Sequence, residues 1–297
     1  MIKIHFLNVG HGDCIIVENL DTNRNTIIDI NRSKEMDSTS LTEVSNSYTT
    51  NNFLHLGLSL ESKGYDVKLT DPIQYIKDRK ISIHRFISTH PHMDHNSGLK
   101  SLYDEIDFRN IWISNHSFQQ DISKLSDGQK EDWNLYQKFK KDSIEGVTTI
   151  KPLEEDKRDF LSQDGISILA PNKELLKNSN PNDLSYVILL NYADRKIIFG
   201  ADAESKTWEH IYKKYDLSDI DILKASHHGR DSGYYQPVVK EMNPLYTIVS
   251  VGKKPSTDAS NKYRQYCDNV WSTRWKGNIV FEIHNDGKMY YQLEYDR

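Results

Sequence analysis

The feature that most constrains this chain is the block THPHMDHNSGL at residues 89–99, directly after the apolar-rich run ISIHRFIS. His90, His92, Asp94 and His95 stand within six positions of one another. His90 and His92 alternate, as they would at the end of a strand, whereas Asp94 and His95 come where a helix is predicted to begin. The two pairs are therefore expected to face two neighbouring points in space.

The residue types in this block are those that bind transition metals. Neutral imidazole and carboxylate suit Zn²⁺, Mn²⁺ or Fe²⁺, and a loop that supplies four such groups is best explained if it holds two ions. A solvated polar turn would explain any one of these residues, but not the set at this spacing. The only cysteines, Cys14 and Cys267, are far apart in sequence, so the pattern predicts a site made of histidine and carboxylate alone.

Composition limits the classes of protein to which the chain can belong. With 297 residues, of which 37% are hydrophobic, it can build a sizeable core. The formal net charge of -5 excludes a polycation that coats nucleic acid. The N-terminal stretch MIKIHFLNVGHGD lacks the apolar core of a signal peptide, and no apolar run approaches the roughly 18 residues of a membrane span. We expect a cytoplasmic protein without membrane contact.

The order of apolar runs predicts an α/β fold. KIHFLNVGHGDCIIVEN and NTIIDI open the chain as antiparallel strands, and later strand-like runs alternate with helical patterns such as AESKTWEHIYKKY. This order favours two sheets sandwiched by helices. A Ser-, Thr- and Asn-rich stretch at about 31–70 is predicted to be a polar insertion within a single domain that spans residues 1–297.

Two later strands also end in ligand-type residues. The run IIFGADAE places Asp202 after a strand, and DILKASHHG places His227 and His228 after another. Taken alone, Asp202 could be a helix N-cap and His228 a surface residue. Side chains at strand ends project into the same edge cleft of an α/β sheet, so we expect these residues to join the histidine block.

With these motifs the chain resembles the metallo-β-lactamase superfamily, and most closely the soluble counterpart of the metallo-hydrolase domain of ComEC-type DNA-uptake proteins. The resemblance rests on FLNVGHGDCIIVE, on the HxHxDH block, on IIFGADAE and on DILKASHHG, and it spans nearly the whole chain except the insertion. It implies an αββα sandwich of two mixed sheets flanked by helices. It also implies a hydrolase that uses two divalent ions, zinc or manganese.

The resemblance also implies a ligand set. The residues that match the metal-binding positions are His90, His92, Asp94, His95, Asp202 and His227. The first two histidines would hold the first ion, the following Asp-His pair would contribute to the second, and Asp202 would bridge both. His227 would complete the second site, with His228 as its rival for that place.

Three residues receive roles beside the ligands. Asp94 would orient the attacking water or accept its proton, and His228, if it is not a ligand, would protonate the leaving group. Asp29, at the end of IIDI, matches the superfamily's early aspartate, which supports the histidine block by hydrogen bonding. A simple strand-end turn residue is the alternative for Asp29.

One departure from the resemblance concerns the first ion. Lactamase- and glyoxalase-type members carry a histidine just before the strand that leads to the bridging aspartate, whereas here the stretch reads NPNDLSYVILL. Asn182 or Asp183 occupies the approximate position, and these two are the candidate weak ligands.

Two features of the sequence bear on the substrate. The resemblance favours a phosphodiester, with nucleic acid or a nucleotide as candidates. Residues 251–277 are rich in Lys and Arg with interleaved Tyr and Trp, and Lys253, Lys254 and Arg264 are the candidate phosphate contacts. An ordinary basic surface explains this stretch equally well. A nucleotide-sensing or partner-binding module with a weakened metal site, and a small-molecule ester or lactone hydrolase, remain as alternative functions.

Overall fold

The structure, a computed structural model, describes residues 1–32, 69–252 and 255–295. The predicted polar insertion at about 31–70 therefore lies almost entirely outside the described residues, as do Lys253 and Lys254.

The described residues form short strands and helices that alternate along the chain. The strands are β1 (Ile2–Phe6), β2 (Ile15–Asn19), β3 (Thr26–Ile28), β4 (Arg85–Ile87), β5 (Asn110–Trp112), β6 (Thr148–Ile150), β7 (Ile166–Ala170), β8 (Val187–Tyr192), β9 (Arg195–Phe199), β10 (Ile222–Lys224), β11 (Tyr246–Val249), β12 (Asn269–Ser272), β13 (Ile279–Ile283) and β14 (Met289–Leu293). The helices are α1 (Pro72–Arg79), α2 (Leu99–Glu105), α3 (Asp127–Lys140), α4 (Asp159–Gln163), α5 (Ser205–Lys214), α6 (Gln236–Met242), α7 (Ser260–Tyr263) and α8 (Thr273–Lys276). Within these ranges, none of the helices has both the length and the apolar character needed to cross a bilayer.

The strands form two mixed sheets. Among the described residues the first sheet has the order β14-β13-β1-β2-β3-β4-β5-β6, and the second has the order β12-β11-β10-β9-β8-β7. The opening strands β1, β2 and β3 pair antiparallel, as the sequence predicted, and β3 to β6 continue in parallel. In the second sheet β7, β8 and β9 are antiparallel, and β9 to β12 are parallel.

Apolar side chains separate the structure into layers. One buried cluster fills the space between the sheets, where Phe6 of β1 meets Phe199 of β9 with ring centroids 6.3 Å apart. A second cluster packs α1, α2 and α3 against the outer face of the first sheet, and a third packs α5, α6 and α7 against the outer face of the second. The predicted fold class, an αββα sandwich of two mixed sheets flanked by helices, is confirmed.

Local sequence signals explain where two helices begin. The carboxylate of Asp71 accepts hydrogen bonds from the backbone of the first turn of α1, and Pro72 occupies its first position, as predicted. Helix α3 was not predicted, although Ser126 and Gln129 form a reciprocal capping box at its start. That pair is the sequence signal that could have found the helix.

The histidine block differs from the predicted strand-to-helix transition. Asp94 and His95 lie in a single 3₁₀ turn, and α2 begins only at Leu99. Gly98 separates the two with a φ of 106°, a left-handed value that interrupts a helix. The block is therefore a compact turn after β4, which leaves its side chains free to face the edge of the sheets.

A buried ion pair ties the two halves of the sandwich together. Asp164, at the end of α4 just before β7, accepts hydrogen bonds at 2.7 Å from Arg85 of β4 and at 2.7 Å from Arg24. Arg85 is 1% exposed, and its guanidinium lies 4.4 Å from the ring centre of Trp112. Either charge alone would be costly to bury, so the pair favours the alignment of the two sheets in which the charges meet.

Replacing Asp164 by Ala is expected to lower the free energy of unfolding by about 3–5 kcal/mol, because it leaves the buried Arg85 guanidinium without its closest carboxylate. Urea denaturation followed by circular dichroism measures this loss. The control is Glu174→Ala, which removes an exposed partner of Lys177 and should leave the free energy of unfolding nearly unchanged. Equal losses in the two variants would contradict the structural role of Asp164.

Candidate metal centre

The candidate site lies where strands of both sheets end. Asp29 follows β3, the histidine block follows β4, Asp202 follows β9, and the His227-His228 pair follows β10. Because β3 and β4 are parallel, as are β9 and β10, each sheet delivers two of these segments to the same edge. The sequence expectation that these strand ends would meet in space therefore agrees with the observed topology.

Asn96 fixes the conformation of the histidine block. Its side-chain amide donates to the backbone carbonyls of His90 and His92, both at 2.8 Å, and its Oδ1 accepts from Ser88 at 2.7 Å. Asn96 is fully buried, so these bonds are shielded from water. The two histidines are consequently held in a defined orientation before any ligand binds.

The first loop of the chain, between β1 and β2, packs directly on this block. Gly12 has a φ of 142°, and a Cβ at this position would overlap the backbone carbonyl of Asp94. The backbone N–H of Asp13 donates to that same carbonyl at 3.3 Å. The VGHGD motif therefore needs its second glycine so that the loop can approach the block closely.

Asp202 occupies the centre of the site. It is 1% exposed; its Oδ1 lies 3.2 Å from His95 Nε2, and its Oδ2 lies 3.6 Å from His90 Nε2. Oδ1 has no well-aligned hydrogen bond among the described residues, although His95 Nε2 lies within ion-pair distance of it. A buried carboxylate oxygen without a partner is costly unless a cation satisfies it, so this atom fits a metal ligand.

The side chains around Asp202 satisfy the simplest test of a metal site. Among the described residues, three groups of side chains have donor atoms within 4.8 Å of one another inside each group. They are Asp13 with His95, Asp202 and His228; His11 with Asp94 and His228; and His90 with His92 and Asp94. Imidazole nitrogens and carboxylate oxygens in adjacent groups match the donors that zinc and manganese prefer. The residues present therefore fit divalent ions.

The structure separates the two histidines of the HHG turn. His228 is 1% exposed, and its Nε2 lies 3.3 Å from Asp94 Oδ2, 3.3 Å from His95 Nε2 and 3.6 Å from Asp202 Oδ1. Its Nδ1 donates to the Ser250 carbonyl at 3.0 Å, which leaves Nε2 directed into the site. His228 Nε2 is therefore placed to bind a metal ion together with Asp94 and His95.

His227 lies on the other side of Asp202. Its Nε2 is 3.9 Å from Asp202 Oδ2, the oxygen that also faces His90. Its Nδ1 lies 2.7 Å from Ser232 Oγ and 3.2 Å from Glu204 Oε1. Both histidines have a positive φ, near 50°, and this left-handed turn is what sends adjacent side chains to opposite sides of one carboxylate.

The two candidate weak ligands differ in their surroundings. Asp183 lies outside the donor groups, and its carboxylate accepts from Thr207 at 3.3 Å and from Asn178 at 3.1 Å. Asn182 donates from Nδ2 to Glu204 Oε1 at 2.9 Å, and its buried Oδ1 has no hydrogen-bond partner among the described residues. The predicted role of Asn182 as a weak oxygen ligand therefore stays a prediction.

Asp29 supports the histidine block from behind. Its Oδ2 lies 2.7 Å from His95 Nδ1, and its two oxygens accept from the backbone N–H and the hydroxyl of Thr89 at 2.7 and 2.6 Å. Burial raises the pKa of Asp29, while His95 and Thr89 oppose that rise by favouring the carboxylate. These contacts are the hydrogen bonding that the resemblance implied for this residue.

The charged groups of the site set the protonation of its histidines. Burial lowers the pKa of His95, but the Asp202, Asp29 and Asp94 carboxylates outweigh it and raise that pKa well above 6.5. The pKa of His228 is likewise raised, because nearby carboxylates outweigh burial. His90 has its pKa lowered well below 6.5, mainly by burial and then by His95.

Sequence reasoning missed several residues of the site. His11 and Asp13 line it, and Asp13 Oδ2 forms an ion pair at 2.9 Å with Lys224 of β10, whose side chain is fully buried. Both missed residues belong to VGHGD, a motif noticed for its resemblance and not for its donor atoms. Glu204 follows Asp202 by two positions, and no signal distinguished it from a surface residue.

The predicted substrate-binding stretch forms a pocket beside the HHG turn. Arg264, Arg274 and Lys276 line a pocket of about 270 Å³ together with Trp271 and Trp275. Its wall includes Val249, the residue against which Gly229 of the HHG turn packs. Lys253 and Lys254 fall outside the described residues, so their predicted contacts stay predictions.

No protein-family model matches the chain. Over 124 residues, 40% of this chain, it is 26% identical to Recombination protein 2 of Haemophilus influenzae, and the match spans only 15% of that protein's length. Igni18, described as a metallo hydrolase from the archaeon Ignicoccus hospitalis, aligns over 98% of both chains with a TM-score of 0.46 and 13% identity. CmlA, a diiron β-hydroxylase from Streptomyces venezuelae, aligns over 84% of this chain and 44% of its own, with a TM-score of 0.42 and 10% identity. Similarities at this level assign no function to this chain.

Metal binding by this site is expected to release protons. At pH 7 the metal-free protein should hold His95 protonated, because nearby carboxylates raise its pKa well above 6.5, whereas His90 should already be neutral. A metal ion needs neutral imidazole, so binding should release at least about one proton, and affinity should rise with pH. Calorimetric titration of Zn²⁺ in buffers of different ionisation enthalpy measures this number. A binding enthalpy that does not depend on the buffer would contradict it.

Proposed function

We propose that this chain is a metal-dependent hydrolase of the metallo-β-lactamase superfamily, and that it cleaves phosphodiesters with a water molecule activated by two divalent ions, zinc or manganese. The observation that carries the proposal is the buried Asp202 carboxylate, which has histidine nitrogens beside both of its oxygens but no well-aligned hydrogen bond on Oδ1 among the described residues. A carboxylate in this position is suited to bridge two ions.

The donor groups support a specific division of ligands. His90 and His92, whose Nε2 and Nδ1 atoms are 3.2 Å apart, serve the first ion. Asp94, His95 and His228 serve the second ion, with Asp202 shared between the two. In this proposal His228 takes the place that the resemblance gave to His227, and it is no longer available as a proton donor.

Two bound divalent ions would lower the pKa of a bound water molecule and polarise a phosphoryl oxygen. The protein groups orient the reactants around them. Asp94 is the most exposed carboxylate of the set, with 30% of its side chain accessible, so its Oδ2 can accept a hydrogen bond from the attacking water. The fully buried side chains of Asp29 and Asn96 hold the histidines still during the reaction.

Three further observations support a phosphodiester as the substrate. The VGHGD and HHG motifs resemble the ComEC-like branch, and both line the site. The relative from Haemophilus influenzae is named a recombination protein, which fits a nucleic-acid substrate. The basic and aromatic pocket that contains Arg264 and Trp275 lies beside the HHG turn, where it could hold a neighbouring nucleotide.

Replacing Asp202 by Ala is expected to reduce hydrolysis of bis-p-nitrophenyl phosphate by at least roughly 100-fold, because the shared ligand is lost. Turnover is measured with Mn²⁺ and with Zn²⁺, and circular dichroism checks the fold. Asp127→Ala, at a fully exposed helix start, is the matched control and should retain activity. Activity of the Asp202 variant close to that of the unaltered protein would overturn the assignment.

The ligand division predicts different metal contents for two neighbouring variants. His228→Ala should lose about one tightly held ion per chain, because His228 is the buried donor between Asp94 and His95. His227→Ala should weaken retention less, because its Nε2 lies 3.9 Å from the shared carboxylate and its side chain is partly exposed. Elemental analysis after dialysis measures both, and the reverse order would return the second-site role to His227.

A further inference from the structure

Arg230, directly after the HHG turn, has its backbone fixed on two sides. Its N–H donates to the His227 carbonyl at 3.0 Å, and the residue forms an isolated antiparallel bridge with Asp258. Next to it, the N–H of Ala259 donates to the Gly229 carbonyl at 2.8 Å. The position from which the long side chain projects is therefore well defined.

Within residues 1–32, 69–252 and 255–295, no carboxylate forms an ion pair with the guanidinium group of Arg230. Its Nη2 lies 3.4 Å from His11 Nε2, and its buried Nε has no hydrogen-bond partner among the same residues. The adjacent carboxylate, Asp231, is already paired with Lys262 at 2.9 Å. By contrast, Arg85 and Arg24 share the Asp164 carboxylate. Arg230 thus brings to this region a positive charge that no carboxylate neutralises.

The contact with His11 places this charge at the mouth of the candidate metal centre. His11 Nε2 lies 3.9 Å from Asp94 Oδ2, and the His11 ring centroid is 4.7 Å from that of His228. The His11 side chain is 38% exposed, whereas His228 behind it is buried. A ligand that enters from solvent towards Asp94 would therefore pass His11 and the Arg230 guanidinium.

We propose that Arg230 binds a non-bridging oxygen of a substrate phosphate at the mouth of the site, and that His11 holds its guanidinium in position. This proposal rests on the proposed function and deepens it, because it names the group that selects an anionic substrate. A planar guanidinium matches the oxygens of a phosphate, and partial burial strengthens such a charge-assisted hydrogen bond. A neutral ester or lactone carries no charge in its ground state, so its binding would gain less from this guanidinium than that of a phosphodiester.

The test compares two variants of Arg230 with a matched control. Arg230→Gln removes the charge, Arg230→Lys keeps it without the planar fork, and Arg109→Gln makes the same change at an exposed arginine beside His84. Two quantities are measured on metal-loaded protein. One is the dissociation constant of inorganic phosphate by calorimetry, and the other is kcat/KM for bis-p-nitrophenyl phosphate and for the neutral ester p-nitrophenyl acetate. Thermal melting checks that each variant folds.

Arg230→Gln is expected to weaken phosphate binding and to lower kcat/KM for the diester by roughly 10- to 100-fold each, with partial recovery in Arg230→Lys. Arg109→Gln should change neither, and hydrolysis of the neutral ester, where present, should fall clearly less than that of the diester in the Arg230 variants. A change below twofold in phosphate affinity for Arg230→Gln, or an equal loss with the neutral ester, would overturn the proposal. Phosphate binding that depends on Arg230 in a protein that hydrolyses no diester would support the anion contact and overturn the proposed function.

Discussion

The site depends on one buried carboxylate, Asp202, which both sheets help to surround. It follows β9 in the second sheet, and its two oxygens face His95 and His90, which follow β4 in the first. Burial raises the pKa of Asp202, but His228, His95 and His90 outweigh it and lower that pKa well below its usual value. The carboxylate is therefore ionised, and positive charge must stay close to it in every functional state. That requirement explains why so many imidazoles converge on one edge of the sandwich.

The charged groups on the far side of the histidines must also balance one another. Asp29 bonds His95 on the side that faces away from Asp202, and Asp13 lies 3.8 Å from His228 Nδ1. The buried Asp13 carboxylate lies close to that of Asp202, and this would be unfavourable without Lys224 of the second sheet, which pairs with Asp13. A buried ion pair adds little net stability by itself, since both groups lose their hydration. Its placement directly behind the histidines indicates that it serves the site and not the core.

The sequence predicted the parts of this structure that depend on local pattern. The alternation of β-branched runs predicted the strands, and the spacing of the block from His90 to His95 predicted ligands at a strand end. Which member of the HHG pair faces Asp94 could not be predicted, because it depends on left-handed backbone at both histidines. The contributions of His11 and Asp13 were also hidden, since their approach to the block depends on Gly12, a long-range packing contact.

The segment that contains Asn182 and Asp183, where weak ligands were predicted, supports a histidine from another loop. Asn182 and Asn180 donate to the two oxygens of Glu204, at 2.9 and 2.8 Å. Glu204 Oε1 in turn lies 3.2 Å from His227 Nδ1, and a carboxylate at this nitrogen leaves Nε2 free to face Asp202. The segment thus supports an imidazole from another loop through Glu204. That imidazole faces the same Asp202 oxygen as His90, so two histidine nitrogens lie on this side of the carboxylate.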